Sequence, residues 1–585
     1  MAQSLHALSK QELIARLTAA EAKLGGSSDD KKLINTSQST PVSATTPPVP
    51  PRAAQFHRNP TRKIALLFTY QGWHYSGLAL QNLPTPLPTV EGELLAALET
   101  TFLVERGAGL EGCGFSRCGR TDRGVSSAGQ VVTLWVRSKR KLGDGGEALG
   151  DDWREAREKE KPKVEPVPVE TLEEAVEAGD VGKDSNSADA TASSPRKRNR
   201  RLRPIPPSAS QPYELAYPQM LNRVLPPEIR IIGWSPLPTR PGPKDGGEEE
   251  EFDARFSCQT RHYRYFFNHQ PIVGQRPLDL GAMRAAAERL VGEHDFRNFC
   301  KVDGSKQIDN HCRRVISAVI RRDTEGAEAG DEEAPAGDYV FELIGSAFLW
   351  HQVRHIMAIL FLVGHGLEQP SIVTRLLNTG YEPPPYPSGP ARDVMLRVPL
   401  DPLRLEQDNV TDLLPNKPLY SMASGLPLQL YKCTYREGDV DWRYGSYDGP
   451  LASRRSNAAN NPLSPLERAA ATEGTTTLLQ LLKNQVEEAK IQARHIQSFY
   501  DQVIEINHPQ EDGGVPLDEP TKLAQAHTLG AGDVMACKRY VPLMQRARSE
   551  SVEEINRKWM IKGGEKRRLK REAGAAARDA GSDGE

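Results

Sequence analysis

Runs of apolar residues predict an alternation of strands and helices between residues 62 and 440. The predicted strands are Ile64–Tyr70, Val131–Val136, Ile229–Trp234, Phe256–Phe267, Tyr339–Ile344 and Leu426–Tyr431. The predicted helices are Val90–Phe102, Met220–Leu225, Gly281–Val291 and Val353–Val363. Helices recur between strands together with hairpins, and this pattern favours an α+β fold with an antiparallel sheet over a doubly wound parallel one.

The rest of the chain differs from this body in composition. Residues 1–61 combine a short amphipathic helix, Ser9–Leu24, with a linker rich in Ser, Thr and Pro, which predicts disorder. An insertion at about 139–212 is charged and rich in Pro and Ser, so we expect it to be disordered as well. The predicted divisions of the chain are 1–61, 62–257, 258–440 and an extension, 441–585, with an amphipathic helix at about 476–505 and a basic tail.

Charge is distributed unevenly along the chain. The 585 residues carry a net charge of −2, so the total does not show the basic excess of a nucleic-acid binder. Acidic runs such as Glu248–Glu251 lie in predicted insertions, whereas Arg196–Arg201 and Lys566–Arg571 are strongly basic. The first basic cluster fits nuclear import, contact with RNA or a solvated low-complexity loop. The body is therefore more basic than the net charge of the whole chain implies. A nucleic-acid backbone interacts with the local charge of the surface it contacts.

Seven scattered cysteines predict a reducing compartment and no disulfide framework. Cys113 with Cys118, or Cys300 and Cys312 with His311, would be the candidates for a zinc site. No Cys-x-x-Cys pair supports either set, so we expect no metal. The sequence also lacks an apolar segment long enough to span a bilayer and an N-terminal secretory pattern, and we expect the nucleus and the cytoplasm as locations.

The most informative segment is the loop Gly119–Val125, in which Asp122 lies between Arg120 and Arg123 and precedes a predicted strand. Neighbouring guanidinium groups keep a carboxylate ionised, and glycines let a substrate approach the backbone closely. The loop is therefore a suitable setting for a carboxylate nucleophile that acts on an anionic substrate. A surface turn with a local ion pair would contain the same residues, so the loop alone leaves both interpretations open.

Two later segments favour the catalytic interpretation. Ala254–Tyr265 interleaves arginines with aromatic residues, which suits a surface that contacts phosphates and stacks on bases, although an edge strand would also explain it. In Gly345–Met357, Arg354 lies in an apolar helix, where an arginine needs a carboxylate partner. If that partner is Asp122, Arg354 keeps the carboxylate ionised and aimed.

In this order the three segments resemble the TruA family of tRNA pseudouridine synthases. Gly119–Val125 is similar to the family's signature around its catalytic aspartate, and Arg261-His262-Tyr263 to its basic-x-Tyr motif. Phe348–Arg354 is similar to the motif that carries the family's structural arginine. Residues that match the N-terminal strand and loop are Tyr70, Gly72, Tyr75, Gly77 and Gln81. The resemblance covers about residues 62–138 and 213–440.

Further segments resemble the eukaryotic branch of the family that acts on tRNA positions 38 and 39. They are Leu221–Pro227, His294–Lys301, Ala347–Arg354, and Lys417–Ala423 with Pro427 and Leu428. One departure is Ala79-Leu80-Gln81, where a closer match would have serine in the middle position. That position has no catalytic role in the resemblance.

The resemblance implies a pseudouridine synthase fold, in which two ferredoxin-like (RRM-like) halves form a mixed, mainly antiparallel central sheet flanked by helices. It implies isomerisation of uridine to pseudouridine in tRNA, which needs no cofactor. Asp122 would be the nucleophile, attacking C1′ or C6, and Arg354 would pair with it. Tyr263 would stack on the target base and help to remove the C5 proton. The substrate-binding residues would be Arg120, Arg123 and Arg261.

Two alternatives stay open. The first is a synthase of the same family that acts on other tRNA positions or on small nuclear RNA. The second is a tRNA-binding or tRNA-folding protein that uses the same surface without catalysis, although binding alone does not require Asp122. Both a monomer and a homodimer are compatible with the resemblance.

Overall fold

The computed structural model describes residues 56, 59–81, 83–140, 147–148, 213–237, 252–272, 275–323, 337–381, 402–449, 463–507, 526–536 and 539–563. The predicted helix Ser9–Leu24 and its linker, nearly all of the insertion at 139–212 and most of the basic tail lie outside these described residues. Their predicted character is therefore not tested by the structure.

Strands and helices alternate along the described chain. The strands are β1 (Pro60–Tyr70), β2 (Ser116–Arg117), β3 (Ser126–Arg137), β4 (Glu147–Ala148), β5 (Ile229–Pro236), β6 (Thr260–Asn268), β7 (Gly292–Asp295), β8 (Cys312–Arg322), β9 (Asp338–Gly345), β10 (Leu428–Thr434), β11 (His527–Gly530) and β12 (Asp533–Met535). The helices are α1 (Val90–Thr100), α2 (Gly109–Gly112), α3 (Tyr217–Asn222), α4 (Leu280–Glu288), α5 (Gln352–Gly364), α6 (Ile372–Leu377), α7 (Pro402–Gln407), α8 (Pro465–Thr472), α9 (Thr475–Asn507) and α10 (552–563).

One large sheet organises the described residues. Its strand order is β4-β1-β3-β10-β6-β9-β8-β7, with β5 also paired to β1 and β2 to β3. Every pairing in it is antiparallel except that of β10 with β3, where Gln429 lies opposite Ser126 and Leu430 opposite Ser127. The prediction of an α+β fold with a mixed, mainly antiparallel sheet is therefore confirmed. The parallel pair joins a strand from the end of the body to one near its beginning.

Apolar cores lie on both sides of this junction. The first core packs β1, through residues such as Ile64 and Phe68, against α1 and α3. The second packs α5 against β6, β8 and β9, and every residue of α5 except Arg354 is buried. Full burial of a large apolar side chain contributes roughly 1.5–3 kcal/mol, so these cores hold the two sides of the sheet in place. A third, small core at the junction includes Cys118 and Cys258.

Three predicted boundaries are wrong for local reasons. The strand predicted from Phe256 begins at Thr260, because the Asp253 carboxylate accepts hydrogen bonds from the backbone N–H groups of Arg255 and Phe256 and so forms a turn. The helix predicted to begin at Met220 begins at Tyr217, where Pro218 suits the first helical turn. The helix predicted to reach Phe102 ends at Thr100, since Phe102 adopts a left-handed φ of 56°.

The C-terminal extension contributes to the second core. The Tyr265 hydroxyl donates to the carbonyl of Leu529, and the Thr528 N–H donates to His365 Nε2. The long predicted helix is present as α9, but most of its apolar positions after the first turn, such as Val486 and Phe499, are exposed rather than packed on the body. Among the described helices, none combines the length and the apolar character needed to cross a membrane.

Candidate active site

The loop that carries Asp122 connects β2 to β3, and a side chain at the end of β1 is hydrogen-bonded to it. The hydroxyl groups of Tyr70 and Thr121 form a buried hydrogen bond of 2.7 Å. Gln130 Nε2 donates to the carbonyl of Gly119 at 2.9 Å. A Cβ atom on Gly72 would lie 2.0 Å from the carbonyl oxygen of Val125, so only glycine fits there. The residues around Asp122 are therefore fixed while its side chain remains accessible.

The carboxylate of Asp122 is 23% exposed and has two basic neighbours in the described part of the chain. His351 Nε2 lies 3.5 Å from Oδ1, and Arg354 Nη1 lies 3.9 Å from Oδ2. The loop's own arginines, Arg120 and Arg123, are exposed, and neither lies within ion-pair distance of Asp122. The basic neighbours thus come from the N-terminal end of α5, contrary to the expectation from the loop sequence.

Arg354 is anchored to a second segment of the chain. Its Nε donates to the carbonyl of Ala423 at 2.8 Å, and the N–H of Ala423 donates to the Arg354 carbonyl at 3.1 Å. Burial lowers the pKa of Arg354, and the nearby Asp122 carboxylate opposes that shift. A guanidinium group remains charged after such a shift. Arg354 therefore presents a fixed positive charge to Asp122.

His351 is a site residue that the sequence analysis missed. It immediately precedes α5 with a left-handed φ of 62°, which is uncommon for a residue with a side chain. The only signal in the sequence was its position three residues before Arg354, within the segment Gly345–Met357. Backbone strain of this kind often accompanies function, and here it places the imidazole beside Asp122.

Tyr263 lies in β6 between β9 and β10, opposite Leu343 and Leu430. Its ring packs edge to face against Phe348 with the centroids 5.2 Å apart. Burial raises the pKa of Tyr263, so its hydroxyl stays protonated at neutral pH. Both predicted roles of Tyr263, stacking on the target base and removal of the C5 proton, stay predictions.

The guanidinium group of Arg261 donates its hydrogen bonds to backbone carbonyls rather than being free to bind a phosphate. Nη1 donates to the carbonyl of Ser346 at 2.6 Å and approaches that of Cys258 at 3.4 Å. Nη2 donates to the carbonyls of Arg255 at 2.9 Å and Cys118 at 3.2 Å. Arg261 therefore connects the segment before Asp122 to β6 and to the end of β9. Its predicted contact with substrate stays a prediction.

Two exposed tryptophan rings lie near the Asp122 loop and His351. Trp73 donates from Nε1 to the carbonyl of Leu426, close to the Asp122 loop, and Trp350 adjoins His351. Lys301 Nζ lies 4.7 Å from the centre of the Trp350 ring. Aromatic rings next to positive charges are typical of surfaces that stack bases and follow a phosphate backbone.

Together these features define a class of site. An accessible carboxylate with free lone pairs can act as a nucleophile, and the adjacent cations and aromatic rings suit a nucleic-acid substrate. The fold and the site are therefore compatible with an enzyme that acts on RNA.

Comparisons with known proteins specify the class. A family model described as tRNA pseudouridine synthase matches residues 286–397. The tRNA pseudouridine(38/39) synthase of Saccharomyces cerevisiae is 35% identical over 456 residues, which cover 77% of this chain and 75% of the yeast protein. The human protein of that name is 34% identical over 67% of this chain and 59% of its own length. A probable tRNA pseudouridine synthase of Caenorhabditis elegans is 32% identical over 68% of this chain and 73% of its length.

The chain belongs to the tRNA pseudouridine synthase family, whose members are isomerases. This confirms the family resemblance and its fold.

Proposed function

We propose that this chain isomerises uridine to pseudouridine at positions 38 and 39 of tRNA, in the anticodon stem-loop, with Asp122 as the nucleophile. The yeast and human relatives carry that activity in their names. The observation that supports it most directly is the Asp122 carboxylate. It is accessible, adjoins two basic side chains and lies in a loop that a buried hydrogen bond holds in place.

The reaction rearranges bonds within one nucleotide. The bond between C1′ and N1 breaks, the uracil turns, a bond between C5 and C1′ forms, the C5 proton leaves and N1 gains a proton. No electron or group is transferred to another molecule, so no cofactor takes part. Asp122 forms the transient bond to the nucleotide, and attack at C1′ and attack at C6 are both compatible with its accessibility. Arg354 and His351 keep the carboxylate oriented.

The target base must leave its stack to reach Asp122, which costs a few kcal/mol. Tyr263 offers a stacking surface for the extruded base. The exposed guanidinium groups of Arg120 and Arg123 lie beside Asp122 in the chain, where they can bind phosphates and offset that cost. These roles explain why the loop's arginines point to solvent rather than to Asp122.

Pseudouridine mapping at single-nucleotide resolution tests this proposal. Total tRNA from a strain that lacks the corresponding activity would be incubated with the wild-type protein and with Asp122→Asn. We expect new pseudouridine at positions 38 and 39 with the wild type and none with the variant, while both bind tRNA equally.

The other outcomes separate the alternatives. Asp122-dependent pseudouridine at other tRNA positions, or in small nuclear RNA, would keep the chemistry and change the substrate. Binding of tRNA without pseudouridine from either protein would support a binding or folding role. Pseudouridine made by purified Asp122→Asn would contradict the assignment of the nucleophile.

A further inference from the structure

Three cysteines that are distant in the sequence meet at the junction of the sheet. The sulfur atoms of Cys118, Cys258 and Cys433 all lie within 4.8 Å of one another. Cys118 directly follows β2, Cys258 precedes β6 and Cys433 lies in β10. The pairing of β10 with both β3 and β6 brings them together, since Cys433 is opposite Arg261 and the Cys118 N–H donates to the carbonyl of Val131.

The surroundings of this cysteine cluster are apolar with one fixed charge. Cys118 and Cys258 are buried and Cys433 is partly buried. Their neighbours in the small junction core are Ala65, Val131, Phe252, Ala254, Leu67, Leu237, Tyr435, Val440 and Trp442. Arg261 donates to the carbonyls of two of the three cysteines and so holds a positive charge beside the sulfurs. Apolar burial disfavours a free thiolate, whereas the positive charge of Arg261 favours it, so a bound cation would add to the stabilisation that Arg261 already gives.

The number and the kind of the donor atoms indicate what binds there. A disulfide would use two sulfurs and leave the third without a function. A tetrahedral zinc ion with Zn–S distances of about 2.3 Å places its sulfur ligands about 3.8 Å apart, so a contraction of about 1 Å or less would close the cluster around it. A donor set of thiol sulfurs selects soft ions rather than magnesium or calcium.

We propose that Cys118, Cys258 and Cys433 bind one Zn²⁺ ion, with an oxygen atom from the Tyr435 hydroxyl or from water as the fourth ligand. The Tyr435 side chain contacts Cys118, and its hydroxyl donates to the carbonyl of Ala254 at 2.8 Å. Three thiolates and Zn²⁺ carry a net charge of −1, which the guanidinium group of Arg261 balances. Binding releases the protons of those cysteines that were thiols.

The ion would join the segment that leads to Asp122 to the strand that carries Tyr263. Cys118 and Asp122 belong to the same short loop, and Cys258 lies just before β6. The metal is therefore structural and positioning rather than catalytic. This positioning role rests on the proposed function, whereas the metal content does not.

Elemental analysis of the full-length protein, purified without metal-affinity resin or chelator, tests the proposal. We expect about one zinc per chain in the wild type, and loss of the zinc in Cys118→Ser, Cys258→Ser and Cys433→Ser. Cys113→Ser is the matched control, because Cys113 is also buried but belongs to the first core and donates to the carbonyl of Leu110. The control should keep its zinc.

A measurement on the wild type makes the test independent of whether the variants fold. Cobalt that replaces zinc at a site of thiolates gives a thiolate-to-metal charge-transfer absorption, and we expect that absorption here. Wild-type protein with neither zinc nor this absorption would overturn the proposal, as would zinc retained in all three variants or a native disulfide between two of these cysteines. A zinc-free protein that still makes pseudouridine would overturn the metal site alone, and a zinc-bound but inactive protein would overturn the function alone.

Discussion

Two aspartates show how the pairing of a carboxylate with arginine can serve different ends. Asp122 is 23% exposed, and its basic neighbours in the described chain stay at 3.5 and 3.9 Å. The side chain of Asp448 is 1% exposed, accepts from Arg62 Nη1 at 2.8 Å and from Arg140 Nε at 2.7 Å, and is bonded to Arg443 as well.

The difference lies in what remains free to react. The lone pairs of Asp448 are occupied by guanidinium groups, and two of these, Arg62 and Arg443, also lie over the ring of Trp234. Such a saturated carboxylate can only hold structure together. Asp122 is oriented by longer contacts that leave its oxygens available to a substrate. Both aspartates thus have arginine nearby, and they differ in how many of their oxygen lone pairs are occupied.

The largest expected effect is that of Asp122→Asn on catalysis. The amide fits the same space and should leave the fold unchanged, but it removes the nucleophile. We expect the rate of pseudouridine formation to fall by at least about 10³-fold, as for other lost nucleophiles. Single-turnover kinetics would measure this, with the melting temperature and the affinity for tRNA unchanged. A fall in melting temperature as large as that of an Asp448 variant would erase the distinction between the two aspartates.

Asp448→Asn should produce the opposite result. Removing its charge leaves Arg62, Arg140 and Arg443 partly uncompensated around a buried site. We expect the free energy of unfolding to fall by about 3 kcal/mol or more. Urea denaturation would measure this fall. The folded fraction should keep the wild-type rate constant for pseudouridine formation, and a selective loss of that rate would show that Asp448 contributes to chemistry.

Substitutions of Arg354 sharpen the comparison, because Arg354 contacts both the carbonyl of Ala423 and the carboxylate of Asp122. Lysine keeps the charge near Asp122 but cannot also reproduce the planar geometry of the bond from Nε to Ala423. We expect Arg354→Lys to lose about 10-fold in rate and Arg354→Ala about 100-fold, with a loss of stability in both. Equal rates for Arg354→Ala and the wild type would show that His351 alone orients Asp122.

The smallest expected effect concerns a third ion pair, Arg289 with Asp408. Its contribution to the free energy of unfolding should depend on pH. Arg289 donates from Nε and Nη2 to the two oxygens of Asp408 at 2.9 and 2.7 Å. Hydrogen bonding from Arg289 lowers the pKa of Asp408 below its ordinary value of 3.8. Between the two pKa values the unfolded chain binds more protons, so stability falls as pH decreases.

The pair therefore stabilises the protein fully above pH 3.8, and the contribution is lost as pH falls through the folded pKa. Asp408→Asn should cost about 1 kcal/mol at pH 7. The difference from the wild type should shrink toward the acid limit in denaturant titrations. A difference that stays constant with pH would indicate that packing, rather than charge, accounts for the cost.

Much of the fold was predictable because its signals are local. The strands that became β1, β3, β5, β9 and β10 follow from apolar runs, and α5 follows from apolar residues on successive turns. The loop with Asp122 and the segment with Arg354 were both identified in the sequence. Boundaries were less accurate where a single side chain decided them, as Asp253 does ahead of β6. The hydrogen bonds that join β11 to Tyr265 and His365 gave no signal, because they depend on contacts between residues distant in the sequence.

The sequence by itself determined the α+β class, the position of the main strands and the residues capable of chemistry. These follow from apolar periodicity and from motifs, both of which are contained within short stretches of chain. Only the tertiary structure decided which of those residues meet. Periodicity shows which face of a strand is buried but not which strand lies beside it. The parallel pairing of β10 with β3 brings Cys433 to Cys118, and the packing of α5 brings His351 to Asp122.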